Sequence, residues 1–292
     1  MVDGLMDRCT TLTLTNDCLQ RAYEGVCPRS ATPYVTPQHV TLRASLRRLL
    51  PFVGIALFVA AWQAAVAASP RTLVPTPWQS LLAIVELARK GLLLRYMVAS
   101  LFRVTWGYLG ALAIAVPAGV LLGLWRRGEL AVNPMLQLLR PISPLAWIPI
   151  AILWFGVGDV SAMFLIFLAS VLPLTMTTVH AVHNIEHVHL AAGRNFGLTN
   201  RELVRSVIFP AILPQLIVGM RITLGIAWLV VVAAEMIAVN SGLGFLIIDA
   251  RNAGNRYDLV VAGMILIGVI GVGLDYLMRS LERLPGVRWG YE

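Results

Sequence analysis

Six long apolar runs, most of them free of charged residues, constrain the fold of this chain more than any other feature. A helix needs about 20 residues to cross the hydrocarbon core of a bilayer, and in lipid its backbone polar groups must be satisfied within the segment. The runs have about this length, and they predict an all-α membrane protein with about six transmembrane helices. The predicted spans are 51–68, 104–125, 141–158, 160–179, 212–239 and 259–274.

Charged residues are scarce and lie mainly between the runs. They make up only 13% of the 292 positions, whereas a soluble domain carries about 25%. The net charge of +8 comes from short basic clusters, which membrane proteins use as anchors on their cytoplasmic side, so it argues against a nucleic-acid partner. Twelve basic residues would flank the inner side and six the outer side if the N-terminus were inside. This asymmetry predicts an N-in/C-in topology.

The first 42 residues are polar and irregular. We predict a disordered cytoplasmic tail over 1–42, or translated sequence upstream of the true start, followed by a transmembrane domain over 43–292. The tail carries all three cysteines, which we interpret as free thiols: Cys9, Cys18 and Cys27. The first apolar run has 18 residues, and the hydrophobic part of a signal peptide has about 7–15, so an uncleaved first helix is the better interpretation.

Small residues recur within the runs. Gly119 and Gly123 form a GxxxG step, and three further glycines lie close together in the last run. Small residues let helix backbones approach closely in lipid. They predict a tightly packed bundle.

The polar interval between the fourth and fifth runs is amphipathic. Its apolar positions are Leu198, Leu203, Val204 and Val207, and its polar positions are Arg194, Asn200, Arg201, Glu202 and Arg205. Gly193, Gly197 and Pro210 interrupt it. We expect two short helices around a glycine turn at the membrane surface, with one face available to another protein. An ordinary interfacial helix remains the alternative.

The spacing of this interval resembles a signature of binding-protein-dependent ABC importer permeases, which reads Glu-Ala-Ala, three residues, Gly, nine residues, Ile-x-Leu-Pro. Residues 191–193 (AAG) stand at Glu-Ala-Ala, Gly197 is the central glycine, Val207 replaces Ile, and residues 209–210 (FP) replace Leu-Pro. The motif glutamate is therefore absent. The runs 140–159, 193–197, 219–236 and 241–252 resemble the nitrate, sulfonate and taurine group of these permeases, and the likeness extends over about 50–285.

The resemblance implies a type I ABC importer permease fold over the transmembrane domain 43–292. It implies that two permease chains, as a homodimer in membrane lipid, form the pathway across the bacterial inner membrane. Two separate ABC ATPase subunits and a periplasmic solute-binding protein would complete the importer. The substrate would be a small oxyanion, namely an aliphatic sulfonate, taurine or nitrate, and no cofactor is implied.

The same resemblance implies that the loop at about 186–210 couples the permease to its ATPases. The implied coupling residues are Ala191, Ala192, Gly193, Arg194, Gly197, Arg201 and Pro210. The chain itself is not expected to be an enzyme. A phosphate-binding P-loop needs Gly-Lys-Ser/Thr, and the chain's single lysine, Lys90, is followed by glycine.

Two charged residues lie within the fifth run. Arg221 and Glu235 are 14 residues apart, and ionisable groups inside a span usually face a cavity or a partner. We predict both as translocation-pathway residues, with a structural pair or snorkelling as the alternative. We interpret Arg103, at the outer start of the second run, as an anchor.

Four histidines cluster between the fourth and fifth runs: His180, His183, His187 and His189. Their helical spacing could hold a metal ion, but it is also typical of a helix end that leaves the bilayer. We expect no metal site.

Three other classes of membrane protein fit the sequence less well. An ion-coupled secondary transporter would favour inverted repeats and discontinuous helices, and the sequence has no visible repeat. An intramembrane enzyme would need a nucleophile and a base at membrane depth, and no Cys or His falls in the middle of a run. A structural membrane anchor would not require the patterned interval at 191–214.

Overall fold

The computed structural model of the protein describes residues 38–68 and 74–282. Helices account for nearly all of these residues, and no strand occurs among them. The helices are α1 (Gln38–Ala68), α2 (Pro77–Arg89), α3 (Leu92–Leu124), α4 (Arg126–Leu139), α5 (Ile148–Phe155), α6 (Asp159–His183), α7 (His187–Asn195), α8 (Asn200–Leu203), α9 (Phe209–Ala238), α10 (Leu243–Gly254) and α11 (Tyr257–Glu282). A 3₁₀ turn (Pro144–Trp147) precedes α5, and a π turn (Val204–Ile208) joins α8 to α9.

The chain divides into two units, 1–58 and 59–292. The described part of the first unit is the beginning of α1, which includes residues 38–42 of the predicted tail. The rest of that tail, with its three cysteines, lies outside the described residues. The first unit exposes large apolar side chains such as Phe52, Ile55 and Phe58.

Within the described residues, four helices are long and apolar enough to cross a membrane: Leu92–Leu124, Asp159–His183, Asn200–Ala238 and Tyr257–Glu282. Each overlaps one of four predicted spans, which are 104–125, 160–179, 212–239 and 259–274. The apolar part of α1 is the shorter Phe52–Ala68. The prediction of an all-α membrane protein is therefore confirmed.

The prediction of one continuous span over 141–158 is wrong. That region belongs to a pair of segments, Arg126–Leu139 and Pro144–Phe155, bent by 84° where they meet. The cause lies in the proline pair at 141 and 144, because proline lacks the N–H that an uninterrupted helix needs. Counting the bent pair as one span brings the total to five.

Glycines bring α3 and α6 into close contact. A Cβ atom on Gly119 would lie 2.5 Å from the Cβ of Thr178, and one on Gly123 would lie 2.8 Å from the Cβ of Val182. A side chain at either position would therefore force the two helices apart. The predicted tight packing is therefore present. Because the residue numbers at these contacts increase together along both helices, α3 and α6 run parallel.

The remaining long helices alternate in direction. Gly158, at the start of α6, donates its N–H to the carbonyl of Ala238 at the end of α9, at 2.9 Å, so α9 runs antiparallel to α6. Trp228 of α9 donates from Nε1 to the carbonyl of Ile267 at 3.1 Å, and α11 runs antiparallel to α9. One end of the bundle therefore holds the last turns of α3, α6 and α11 together with α7 and α8. We call this the loop end, and the opposite end the far end.

Candidate functional site

The polar interval at the loop end folds into two short helices around a glycine turn. Helix α7 ends at Asn195, and Gly197 adopts a left-handed conformation with φ of 76°. A side chain at position 197 would meet no neighbouring atom within 4 Å, so the backbone conformation alone favours glycine there. The structure thus contains the turn that the sequence predicts.

Gly193 allows the two short helices to touch. It is buried, and a Cβ atom at this position would lie 2.6 Å from Cδ1 of Leu203 in α8. Any larger residue would have to displace Leu203. We call residues 187–208 the hairpin.

A capping box begins the second helix of the hairpin. The backbone N–H of Thr199 donates to Oε2 of Glu202 at 2.9 Å, and the N–H of Glu202 donates to Oγ1 of Thr199 at 3.4 Å. These bonds satisfy N–H groups that a helix start otherwise leaves without partners. The π turn then continues into α9, so the second helix of the hairpin and a membrane helix form one helical rod, Asn200–Ala238.

The apolar side of the hairpin rests on the membrane helices. Leu203 and Ile208 are buried in a cluster that also contains Val120 of α3, Val182 of α6 and Ile212 of α9. Three membrane helices therefore hold the hairpin, and a displacement of the hairpin would move all three.

The opposite side of the hairpin is exposed. Five of the predicted coupling residues lie there: Ala191, Ala192, Arg194, Gly197 and Arg201. Gly193 is buried inside the hairpin, and Pro210 is half-buried just beyond it, in the first turn of α9. Sequence reasoning missed Phe196, which is 86% exposed at the tip. An aromatic residue in an otherwise polar turn was the signal that could have identified it.

Arg221 lies on the face of α9 that meets α11. Its Nε donates to Oδ1 of Asp275 at 2.5 Å, and its Nη1 lies 3.4 Å from Oε1 of Glu282. Its guanidinium thus joins two helices, which matches the alternative of a structural pair. Its role in the pathway stays a prediction.

Glu235 lies at the far end and is completely buried. Its Oε1 accepts from Nη1 of Arg103 at 2.6 Å, and its Oε2 accepts from Oγ of Ser100 and the N–H of Gly244 at 2.9 and 3.0 Å. Every polar atom of this carboxylate is therefore engaged. Glu235 and Arg221 belong to separate ion-pair networks, and the structure does not bring them together.

Arg103 is buried too, with 2% of its surface exposed. Besides Glu235, it donates from Nε to Oδ1 of Asp159 at 2.8 Å and from Nη1 to the carbonyl of Ser241 at 2.9 Å. The interpretation of Arg103 as an anchor is therefore wrong, because its guanidinium is enclosed by Asp159, Glu235 and Ser241 rather than directed to the bilayer surface.

Two of the four clustered histidines contact different carboxylates. Nε2 of His183 is 3.2 Å from Oε2 of Glu129, and Nδ1 of His189 is 4.0 Å from Oε2 of Glu186. Among the described residues, no group of three or more His, Cys, Asp or Glu side chains could hold a metal ion.

The comparison with protein families decides which kind of membrane protein this is. Residues 115–285 match the family model of the binding-protein-dependent transport system inner membrane component. The chain belongs to this family. It is an ABC importer permease, located in the inner membrane.

Two relatives place this permease in the nitrate, sulfonate and taurine group. It is 34% identical to the taurine transport system permease protein of Escherichia coli over 191 residues. This aligned region is 65% of this chain and 68% of the relative. It is 35% identical over 237 residues to a putative aliphatic sulfonates transport permease protein of Bacillus subtilis, covering 80% of this chain and 84% of the relative.

A solved structure supports the fold. A chain of the MetNI methionine ABC transporter in an inward-facing conformation superimposes with a TM-score of 0.53 at 23% identity, covering 67% of this permease and 99% of that chain. The type I importer permease fold is thereby confirmed.

Proposed function

We propose that this permease moves a small oxyanion (an aliphatic sulfonate, taurine or nitrate) across the inner membrane, driven by ATP hydrolysis on two separate ATPase subunits. A periplasmic solute-binding protein delivers the substrate. Two copies of the permease, surrounded by lipid, form the pathway. The hairpin is the coupling element and faces the cytoplasm.

The shape of the hairpin supports this proposal most directly. Its exposed side carries the aromatic ring of Phe196 next to Arg194, while its buried side packs on three membrane helices. Exposed aromatic and arginine side chains are typical anchors in protein–protein interfaces. An ATPase groove that received Phe196 would grip a part of the permease that continues directly into α9.

The transmission of movement follows from this connection. Because α8 continues through the π turn into α9, a shift of the ATPases would tilt α9 as a rigid body. Helix α9 packs on α6 and α11. The bundle would therefore move as a unit and open the pathway alternately to the two sides of the membrane.

The surroundings of the chain's single lysine support ATP hydrolysis on separate subunits. Lys90 ion-pairs with Glu86 at 2.6 Å on the far-end helix α2, in a sequence that lacks the Gly-Lys-Ser/Thr of a P-loop. ATP would therefore be bound and hydrolysed by the partner subunits, and this chain would be no enzyme.

The names of the relatives support the substrate class. Taurine and aliphatic sulfonates both carry a sulfonate group, a singly charged oxyanion that guanidinium groups bind through charge-assisted hydrogen bonds. Nitrate has the same charge and the same kind of acceptor atoms.

The substitution Gly197→Val tests the coupling role. Valine in a left-handed conformation costs about 1–2 kcal/mol, so the turn should open and Phe196 should leave its position. In proteoliposomes that contain the complete importer, we expect ATP-driven uptake of radiolabelled taurine or ethanesulfonate to fall severalfold, while the amount of permease in the membrane is unchanged.

Gly91→Val is the matched control. Gly91 has φ of 69° and open space around its missing Cβ, but it lies between α2 and α3 at the far end. This variant carries the same backbone penalty without touching the hairpin. Normal uptake by Gly197→Val, or an equal loss in both variants, would contradict the coupling role. Uptake by the permease alone, driven by an ion gradient, would favour the alternative of an ion-coupled secondary transporter.

A further inference from the structure

The bent pair of segments places a helix break deep in the bundle. Arg140, at the end of α4, lines a cavity together with Leu172 and Pro173 of α6. Pro173 is ten residues from His183 and fourteen from Asp159, which corresponds to about 15 and 21 Å along the helix. The break therefore lies near the middle of the membrane. Irregular backbone at this depth is tolerated where it is buried in protein or lines a water-filled cavity.

Two cavities meet at Arg140. The first has a volume of about 430 Å³ and is lined by Glu129, Asn133, Gln137 and His180 towards the loop end. The second has a volume of about 320 Å³ and is lined mainly by apolar side chains, among them Trp147 and Ile226. Both volumes lie in the range of about 300–1,000 Å³ that is usual for small-molecule sites. Arg140 is the one residue that lines both cavities.

Arg140 differs from the other arginines at membrane depth in its partners. Arg103 and Arg221 each form ion pairs with two carboxylates. Arg140 is exposed, and it forms no ion pair or side-chain hydrogen bond within the described part of the chain. A charge inside a membrane span is costly unless it faces a partner or a water-filled cavity. The cationic group is thus available to an anion that enters either cavity.

The polar lining of the first cavity follows one face of α4. Glu129, Asn133, Gln137 and Arg140 recur at intervals of four, four and three residues, which places them on the same side of a helix. Glu129 is engaged by His183 at 3.2 Å, and Asn133 accepts a hydrogen bond from Gln137 at 3.2 Å. The acidic end of this row of side chains, Glu129, is therefore paired with His183, and its positive end, Arg140, lies at the break.

We propose that Arg140 is an anion-contacting residue of the translocation pathway, holding the oxyanion at the break between the two cavities. This proposal rests on the proposed function and names a contact residue for its substrate. Sulfonate or nitrate oxygens would accept hydrogen bonds from the guanidinium, with the amide groups of Asn133 and Gln137 nearby on the side of the loop end. Arg221 is less suited to this role, because Asp275 and Glu282 already hold its guanidinium.

Arg140→Gln tests the contact in the complete importer reconstituted in proteoliposomes. A hydrogen bond to a charged group contributes about 1.5–3 kcal/mol, which corresponds to a factor of about ten or more. We expect the concentration of radiolabelled taurine or ethanesulfonate at half-maximal uptake to rise by about tenfold or more. Arg140→Lys retains the charge and should recover part of this loss.

Arg127→Gln is the matched control. Arg127 lies in the first turn of the same helix, is exposed and lines neither cavity, so its substitution should leave the half-maximal concentration unchanged. The amounts of each variant in the assembled importer are measured in parallel, so that misfolding is recognised. Arg140→Lys then serves as the second variant.

The outcomes separate this proposal from the one on which it rests. A half-maximal concentration in Arg140→Gln equal to that of the unaltered importer, or an equal rise in Arg127→Gln, would overturn the anion contact while ATP-driven uptake persists. A loss in Arg140→Lys as deep as in Arg140→Gln would overturn a contact based on charge. Absence of ATP-driven uptake in the unaltered importer would instead contradict the proposed function.

Discussion

Arg103 joins three parts of the permease at the far end of the bundle. From α3 it reaches Asp159 at the start of α6, Glu235 near the end of α9, and Ser241 in the connection that follows. Gly242 closes over this network with φ of 107°, and a Cβ atom there would lie 2.3 Å from the carboxylate of Glu235. Ion pairs this deeply buried persist only when every charge has its partner.

Arg103→Met should therefore destabilise the permease strongly. The substitution would leave the buried carboxylate of Glu235 without its counter-ion, and breaking a buried pair in this way costs about 3–5 kcal/mol. The thermal unfolding midpoint of the purified permease in detergent measures the effect. Arg221→Met is the comparison and should shift the midpoint less, because the ion pairs of Arg221 with Asp275 and Glu282 are partly exposed. Equal shifts in the two variants would contradict the account of Arg103.

The residues of the hairpin could be predicted from the sequence, and the partners of the charged residues could not. The glycine at 197 interrupts an amphipathic interval, which predicts two short helices around a glycine turn. The ion pair between Arg103 and Glu235 joins residues 132 positions apart. No periodicity records such a distance, so a buried arginine near a helix start looked like an anchor at the bilayer surface.

At the scale of the helices, the bent pair shows what hydropathy can and cannot predict. The apolar residues at 141–158 correctly indicated a segment in the membrane. Hydropathy shows which residues are apolar, but it does not show the direction in which a helix runs. The 84° bend arises where Ser143 and Pro144 begin a new helical turn. Prolines in an apolar run were the available signal.

Helix α2 is fastened to the turn before α11 by a small ion-pair network at the far end. Nη2 of Arg256 lies 2.7 Å from Oε2 of Glu86, and Nζ of Lys90 lies 2.6 Å from Oε1 of the same carboxylate. Hydrogen bonds from Arg256 and, to a smaller extent, from Lys90 lower the pKa of Glu86 from 4.5 to about 2. The ionised form of Glu86 is therefore favoured in the folded protein.

The sign of this pKa shift sets a pH dependence. A carboxylate with a lowered pKa contributes stability above its unfolded pKa, and the contribution is lost as the pH falls towards the folded pKa. Glu86→Gln should lower the unfolding midpoint at pH 7, and its difference from the unaltered permease should shrink as the pH falls from 4.5 to about 2.

Asp249→Asn is the control for this pH series. Asp249 is an exposed carboxylate of α10 that makes no ion pair within the described part of the chain, so its substitution should leave the midpoint nearly unchanged at each pH. A difference between Glu86→Gln and the unaltered permease that stays constant over this range would contradict the ion-pair account.

At the scale of the whole molecule, the lipid environment made the fold class predictable. In a bilayer a single apolar run must pair its own backbone N–H and C=O groups, which an α-helix does. Composition and run length were therefore enough to predict the all-α bundle. The relative directions of α3, α6, α9 and α11 depend on contacts such as Gly119 against Thr178, which the sequence only suggested through its small residues. In the proposed importer the hairpin faces the cytoplasm, and its packing on three membrane helices would transmit a movement of the ATPases to the bundle.

Photo-crosslinking from position 196 tests this account most directly. A benzophenone amino acid would replace Phe196, which is 86% exposed at the tip of the hairpin, or Trp78, which is 67% exposed on α2 at the far end. In membranes containing the permease, its ATPase subunits and its binding protein, we expect a crosslink to the ATPase from position 196 and none from position 78. A crosslink to the ATPase from position 78, or none from position 196 in the assembled importer, would contradict the coupling role of the hairpin.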